Sequence, residues 1–253
     1  MTFLALEFPP ISHLFVWPDI AFEGTPLAMN KTVLIYLTAM AITAGLFLVA
    51  GSRKSLVPGG LQTIAESGIE FVDNQVLRPT IGPTGERFLP FLTTMFFFVF
   101  LTNIFEVIPF IQFPANARMA LPILLAVMVW GIYHFQGFKH QGLGYIKSSL
   151  FPPGVPLGVY FLVTPIELLQ VLVIRPGSLA IRLWANMVAG HLLLVTFALL
   201  SATLWDSTKV GAILPFTMLI LMTGFEILVS FLQAFIFTIL TAVYIDLATH
   251  PEH

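Results

Sequence analysis

A chain of 253 residues in which 57% are hydrophobic and only 9% are Asp, Glu, Lys or Arg is no ordinary soluble domain, where about a quarter of residues are charged. With a mean hydropathy of +0.93 it reads as a polytopic membrane protein. The formal net charge of -2 comes from loops and isolated helix positions rather than a patch, so it says nothing of nucleic acid and no such partner is expected, and the absence of cysteine excludes disulfides and thiolate metal sites.

Residues 1–30 hold Glu7, Asp19, Glu23 and several prolines, with no basic stretch ahead of an apolar run. They read as an outside segment rather than a cleaved signal. Residues 31–51 form the first stretch of bilayer length, since about 20 apolar residues cross about 30 Å of hydrocarbon. Residues 58–79 intersperse Glu66, Glu70 and Asp73 among Leu61, Ile64, Ile69, Phe71, Val72 and Val76, the pattern of an amphipathic helix on the cytoplasmic-side membrane surface. A second span covers 88–111, broken near Pro109, and a third covers 119–138, with a short turn at Gln112 to Arg118 between them.

Residues 139–156 are polar and rich in Gly and Pro, and read as a cytoplasmic loop. Beyond it lie two apolar tracts, 157–204 and 211–247, each longer than one perpendicular crossing needs. Each is either a pair of short helices or one long tilted helix, and the lack of an internal polar turn favours the long helix. Pro165 and Pro176 are candidates to start or kink the first tract. Lys and Arg set the orientation: Arg53, Lys54, Arg78, Arg87, Lys139 and Lys147 fall on one side, Lys31, Arg118 and Lys209 on the other. The excess marks the cytoplasmic side, so five spans place the N-terminus outside and Asp246 to His253 inside.

The polar residues inside these tracts carry the functional signal. Arg182 is a permanent cation followed by Leu183, Trp184 and Ala185, and at mid-bilayer it costs at least about 2.5–3.5 kcal/mol. Arg175 lies seven residues before it and Asn186 one turn after, so the three share a stripe, whereas His191, nine residues on, points to the opposite face. On the last tract Glu226, Gln233 and Tyr244 recur at steps of seven and eleven and form a second polar stripe.

The run from Arg175 to His191 (RPGSLAIRLWANMVAGH), with Leu232 to Thr238 (LQAFIFT) downstream and Thr102 to Pro109 (TNIFEVIP) upstream, resembles subunit a of F-type ATP synthases. The resemblance covers most of the chain beyond about Arg53. It implies an all-α fold whose last two helices tilt against a rotating c-subunit ring, with the subunit b peripheral stalk, the remaining synthase subunits and membrane lipid as partners and no cofactor. It also implies a non-catalytic chain that carries protons through two offset half-channels. The N-terminal methionine and the lack of a transit peptide favour a bacterial plasma membrane, with an organellar inner or thylakoid membrane as the alternative.

Arg182 matches the arginine that faces the ring carboxylate and separates the half-channels. A fixed cation there favours the ionised form of a passing carboxylate and blocks direct proton passage. His191 and Glu226 match positions where the family places a histidine and an acid on the outside channel, and an imidazole beside a carboxylate relays protons near neutral pH. Asn186 and Gln233 are expected to line the same channel.

Weaker candidates are Glu167, for the inner half-channel or as a helix-start carboxylate; Arg175, as a snorkelling or pairing residue; Glu106, which attracts protons at the outside end of its span or is simply solvated; and Tyr244, for ring contact or the aromatic belt. Phe96, Phe97 and Phe98 read as packing or lipid-facing residues, and His134 and His140 do not make a metal site. Two other functional classes fit the chain less well. An independent secondary transporter would carry internal repeats, which the sequence lacks, and an intramembrane enzyme using His191 and Glu226 would carry a nucleophile or metal cluster. Neither supplies a counter-charge for Arg182.

Overall fold

The computed structural model describes residues 18–21, 28–52, 59–109, 111–151 and 157–249, and among them the chain is all-α, with a single bridging pair between Ala21 and Met29 outside the helices. Most of the expected N-terminal segment, Arg53 and Lys54 of the orientation argument, part of the 139–156 stretch and the last four residues lie outside the described residues. The helices are α1 (Lys31–Ser52), α2 (Gly60–Val72), α3 (Leu89–Ile104), α4 (Ala120–Gln141), α5 (Gly144–Leu150), α6 (Tyr160–Leu169), α7 (Arg175–Ser207) and α8 (Ile213–Thr249). Among the described residues five tracts are long and apolar enough to cross a membrane: Lys31–Ser52, Pro83–Ile104, Ala120–Gln141, Tyr160–Trp205 and Ile213–Thr249. At 37 residues α8 is about 55 Å long, against about 30 Å of hydrocarbon.

Prolines shape the helices in two places. The π turn Asp73–Leu77 runs into Arg78-Pro79, and the π turn Gln170–Ile174 runs into Arg175-Pro176. A proline inside a helix has no N–H and its ring clashes with a carbonyl one turn back; widening the turn by one residue relieves the clash without ending the helix. The tract beginning at 157 is therefore neither a clean pair of helices nor one regular helix. It is α6 and α7 joined end to end through a π turn, with Pro165 accommodated inside α6.

The second span ends earlier than its hydropathy suggests. Regular helix stops at Ile104 because Pro109 cannot offer the N–H that Phe105's carbonyl would need. Among the described residues from Phe105 to Arg118 the chain is irregular, with one 3-10 turn at Ala115–Ala117. The stretch beginning at Lys139 also differs from a plain loop: α4 continues to Gln141, stops where Gly142 adopts φ 59 and donates to Phe138 O, and gives way to α5.

The chain divides into two compact units, one built from the stretch up to Ala44, Phe98–Arg118 and Trp184–Gln233, the other from Gly45–Phe97, Met119–Leu183 and the stretch from Ala234. In the first, Ile35 and Ala39 of α1 pack with Phe105, Phe113 and Ala115. In the second, Phe71 of α2 stacks on Phe96 of α3 and Phe235 of α8, and Phe97 sits over Gly68, whose missing side chain leaves room for the ring. Phe96 and Phe97 are thus packing residues, and Phe98 packs against the first unit's core. Without a hydrophobic drive between helices in lipid, such close contacts and polar pins hold the bundle.

Candidate functional site

The irregular Phe105–Arg118 segment has backbone groups that no helix satisfies, and side chains of the first unit donate to three of its carbonyls. Lys31 Nζ donates to Ile111 O at 3.1 Å and lies 5.1 Å from the Phe113 ring centre, and Tyr36 OH donates to Ala115 O at 2.6 Å. The Trp184 indole donates to Ala117 O at 2.8 Å. Asn116, fully buried, donates from Nδ2 to Thr102 Oγ1 (3.0 Å) and Asn103 Oδ1 (2.8 Å). Irregular backbone survives at membrane depth only under this kind of cover.

The pinned segment delivers Glu106 into the interior. Its side chain is 2% exposed, and Oε1 lies 3.2 Å from His191 Nδ1 on α7, within ion-pair range though not aligned as a hydrogen bond. The sequence reading that Glu106 is simply solvated is therefore wrong: the break after Ile104 turns the carboxylate inward. His191 and Glu226 are buried as well, and Glu226 of α8 lies against Gly190, where a Cβ would fall 2.5 Å from the carboxyl carbon and 2.8 Å from Oε2. Two carboxylates thus converge on one turn of α7, at Gly190 and His191.

Glu106 and His191 line a cavity of about 350 Å³ with Gln112, Thr223, Leu194 and Leu219 among its other walls. Gln112 holds φ 34, a left-handed conformation that a non-glycine residue adopts at a cost of about 1–3 kcal/mol, and Thr223 stands one turn before Glu226 on α8. Neither stands out in the sequence by itself; Thr223 had a signal, its i−3 spacing from Glu226, while the turn that carries Gln112 to the cavity had none. Gln233 is buried nearby in sequence on α8, and its amide nitrogen has no acceptor among the described residues. Asn186 is half-buried on α7.

Arg182 occupies an exposed position on α7 with Ile181, Ala185 and Ala189, while Leu183, Met187 and His191 are buried. Arg175, half-buried, places its guanidinium 5.6 Å from the Tyr244 ring centre, and Tyr244 in turn packs against Tyr133. Both residues are held inside the second unit by this stack. Glu167 is half-buried on α6. His140 accepts from Arg87 Nη2 at 2.7 Å, and His134 contacts Trp130 O through Nδ1 at 2.9 Å. Outside the spans, Arg78 donates to Asp73 Oδ2 at 2.8 Å, which holds its guanidinium above its ordinary pKa.

A model of the family described as ATP synthase A chain matches residues 33–246. The chain belongs to the ATP synthase A chain family. Among its relatives, ATP synthase subunit a of Frankia alni is 40% identical over 94% of this chain and 83% of its own length. The protein of the same name from Rhodococcus erythropolis is 39% identical over 99% and 94%, and that from Mesorhizobium japonicum 37% over 95% of each. A member of the ATP synthase A chain family is a multi-pass membrane component of a rotary complex, works with the other synthase subunits, and is the stator's proton channel. Nothing favours an independent transporter.

Proposed function

We propose that Arg182 is the barrier between two offset half-channels, and that Glu106, His191 and Glu226 form the proton relay of the outside channel, with Asn186 and Gln233 lining it. The observation that carries this reading is the division of faces along α7. Two carboxylates and an imidazole are buried at Gly190 and His191 beside a cavity open enough for water, while the cation nine residues earlier is exposed on an otherwise apolar surface. Buried ionisable groups in a membrane are costly unless they move charge, and a His191–Glu106 pair with Glu226 against the adjacent Gly190 supplies donor and acceptor sites for successive transfer.

The partner on the Arg182 side is the c-subunit ring, whose carboxylate supplies the missing counter-charge; small residues at Ala185 and Ala189 let a neighbouring helix come close. The chain itself does no covalent chemistry. It is fixed by the subunit b peripheral stalk in a bacterial plasma membrane, N-terminus outside. A proton falling through 100 mV releases about 2.3 kcal/mol, which a leak past Arg182 would dissipate. Glu167, on the inward side of Arg182 in this orientation, lines the inner half-channel.

The test is Arg182→Ala in membranes carrying the assembled complex. Proton-driven ATP synthesis is expected to vanish while the amount of assembled complex stays at the parental level. Coupled synthesis at the parental rate would overturn the assignment.

A further inference from the structure

The π turn Gln170–Ile174 leaves one carbonyl without an intrahelical partner. Arg175 N–H, which would serve Val171 O in a regular α-helix, bonds Gln170 O instead, and Pro176, the next residue in line, has no N–H. In a bilayer an unserved carbonyl costs several kcal/mol, so the turn persists only where another element supplies donors. Helix α4 supplies two. Trp130 Nε1 donates to Val171 O at 3.2 Å and Tyr133 OH donates to the same oxygen at 3.0 Å. Tyr133 is almost fully buried, and its ring is held by Tyr244 and His134, so its hydroxyl has little freedom to point elsewhere.

A π turn is one residue more than an α turn, and its presence turns everything downstream by about 100° relative to an uninterrupted helix. Arg182 comes two helical turns of α7 after it. The azimuth of its guanidinium about the helix therefore depends on where the extra residue sits. If the π turn slid along the helix or annealed, Arg182 would rotate away from the face it now occupies.

We infer that Trp130 and Tyr133 are positioning residues for Arg182: by jointly capping Val171 O they lock the π turn in place and so fix the direction of the cation. This rests on the role given to Arg182 above. Neither residue is among those assigned to the proton path above, and a purely space-filling role would be met equally well by phenylalanine at both positions.

The experiment uses the assembled complex with Trp130→Phe/Tyr133→Phe, which removes both donors and keeps the aromatic bulk. Proton-driven ATP synthesis is expected to fall at least about fivefold at unchanged complex content, since misplacement by about 1 Å in a preorganised site costs up to about 10²-fold. A second readout is spectroscopic. The chain has no native cysteine, so spin labels at Val127→Cys and Ile181→Cys, both exposed positions of the same unit, report the rotation directly by pulsed EPR in a complex whose other subunits are cysteine-free.

The parental distance distribution is expected to be single, and the double phenylalanine variant to broaden it or add a second population. An unchanged distribution or parental synthesis overturns the inference. Should the double variant not assemble, Tyr133→Phe and Trp130→Phe are read singly, each with one donor left and about a twofold loss expected; parental rates in both overturn it equally. Retained synthesis in Arg182→Ala would sink the role of the arginine while leaving the spectroscopic result standing, so the two failures are distinguishable.

Discussion

Gly190 is where the least possible change has the largest expected effect. A methyl group there occupies the position of the Glu226 carboxylate, which is buried and cannot simply swing into solvent. The usual helix gain of Gly to Ala, about 0.5–1 kcal/mol, is outweighed by overpacking at about 1–3 kcal/mol. Gly190→Ala is expected to slow proton translocation about tenfold, and the shorter carboxylate of Gly190→Ala/Glu226→Asp to recover part of it; passive proton flux in stripped membrane vesicles measures both. Glu106→Ala should match Glu226→Ala in that assay, at least about tenfold below the parent, because in the proposed relay both carboxylates exchange protons with His191. A Glu106→Ala variant at the parental rate would return that residue to a structural role. Arg182, His191 and Glu226 are legible in the sequence because a charged group in an apolar tract stands out against its neighbours. Glu106 is misleading for the opposite reason: it lies at a span's end, where a carboxylate ordinarily meets water, and only the three-dimensional course of the segment after Ile104 brings it to His191.

The element that decides the site is the Phe105–Arg118 segment, and its weakest point is a single amide. Asn116→Ala removes the donor from two buried oxygens, Thr102 Oγ1 and Asn103 Oδ1, at about 1–3 kcal/mol. The midpoint of heat inactivation of the detergent-solubilised complex is expected to drop by about 3–10 °C, and an unchanged midpoint would mean the pin carries no weight. Gly137→Ala on α4 tests packing in the second unit. The added Cβ would lie 2.5–2.8 Å from the Tyr145 ring, and Tyr145 is buried, so the ring cannot move aside and destabilisation is expected despite the better helix former. Hydropathy marks the five membrane-crossing tracts, because about 20 apolar residues in a row have few other uses. It does not mark where α3 ends, the helix hidden in the Gly-rich stretch after Lys139, or the π turns. These depend on which carbonyl lacks a donor, and a sliding average of hydrophobicity is blind to that.

At the scale of the whole molecule, apolar surface is distributed in a way that asks for a protein neighbour as well as lipid. Leu37, Met40 and Leu48 on α1 and Ile123, Leu124 and Val127 on α4 are exposed, and so are Leu172, Val173 and Ile181 near Arg182 and Ile220, Phe225 and Leu228 on α8. If the ring covers the face that carries Arg182, a lipid-soluble carbene reagent read by mass spectrometry should label all four groups in the isolated chain. In the assembled complex the labels on Leu172, Val173 and Ile181 should fall while those on α1 and α4 persist. Equal labelling near Arg182 in both states would place the partner elsewhere. The π turn before Arg175 has one more consequence, for the gene rather than the protein. Reading frame aside, the length of the coding sequence between Trp130 and Arg182 becomes a functional quantity: loss of a single codon among 170–174 would leave composition and hydropathy almost untouched, yet deliver a channel whose arginine faces the wrong way.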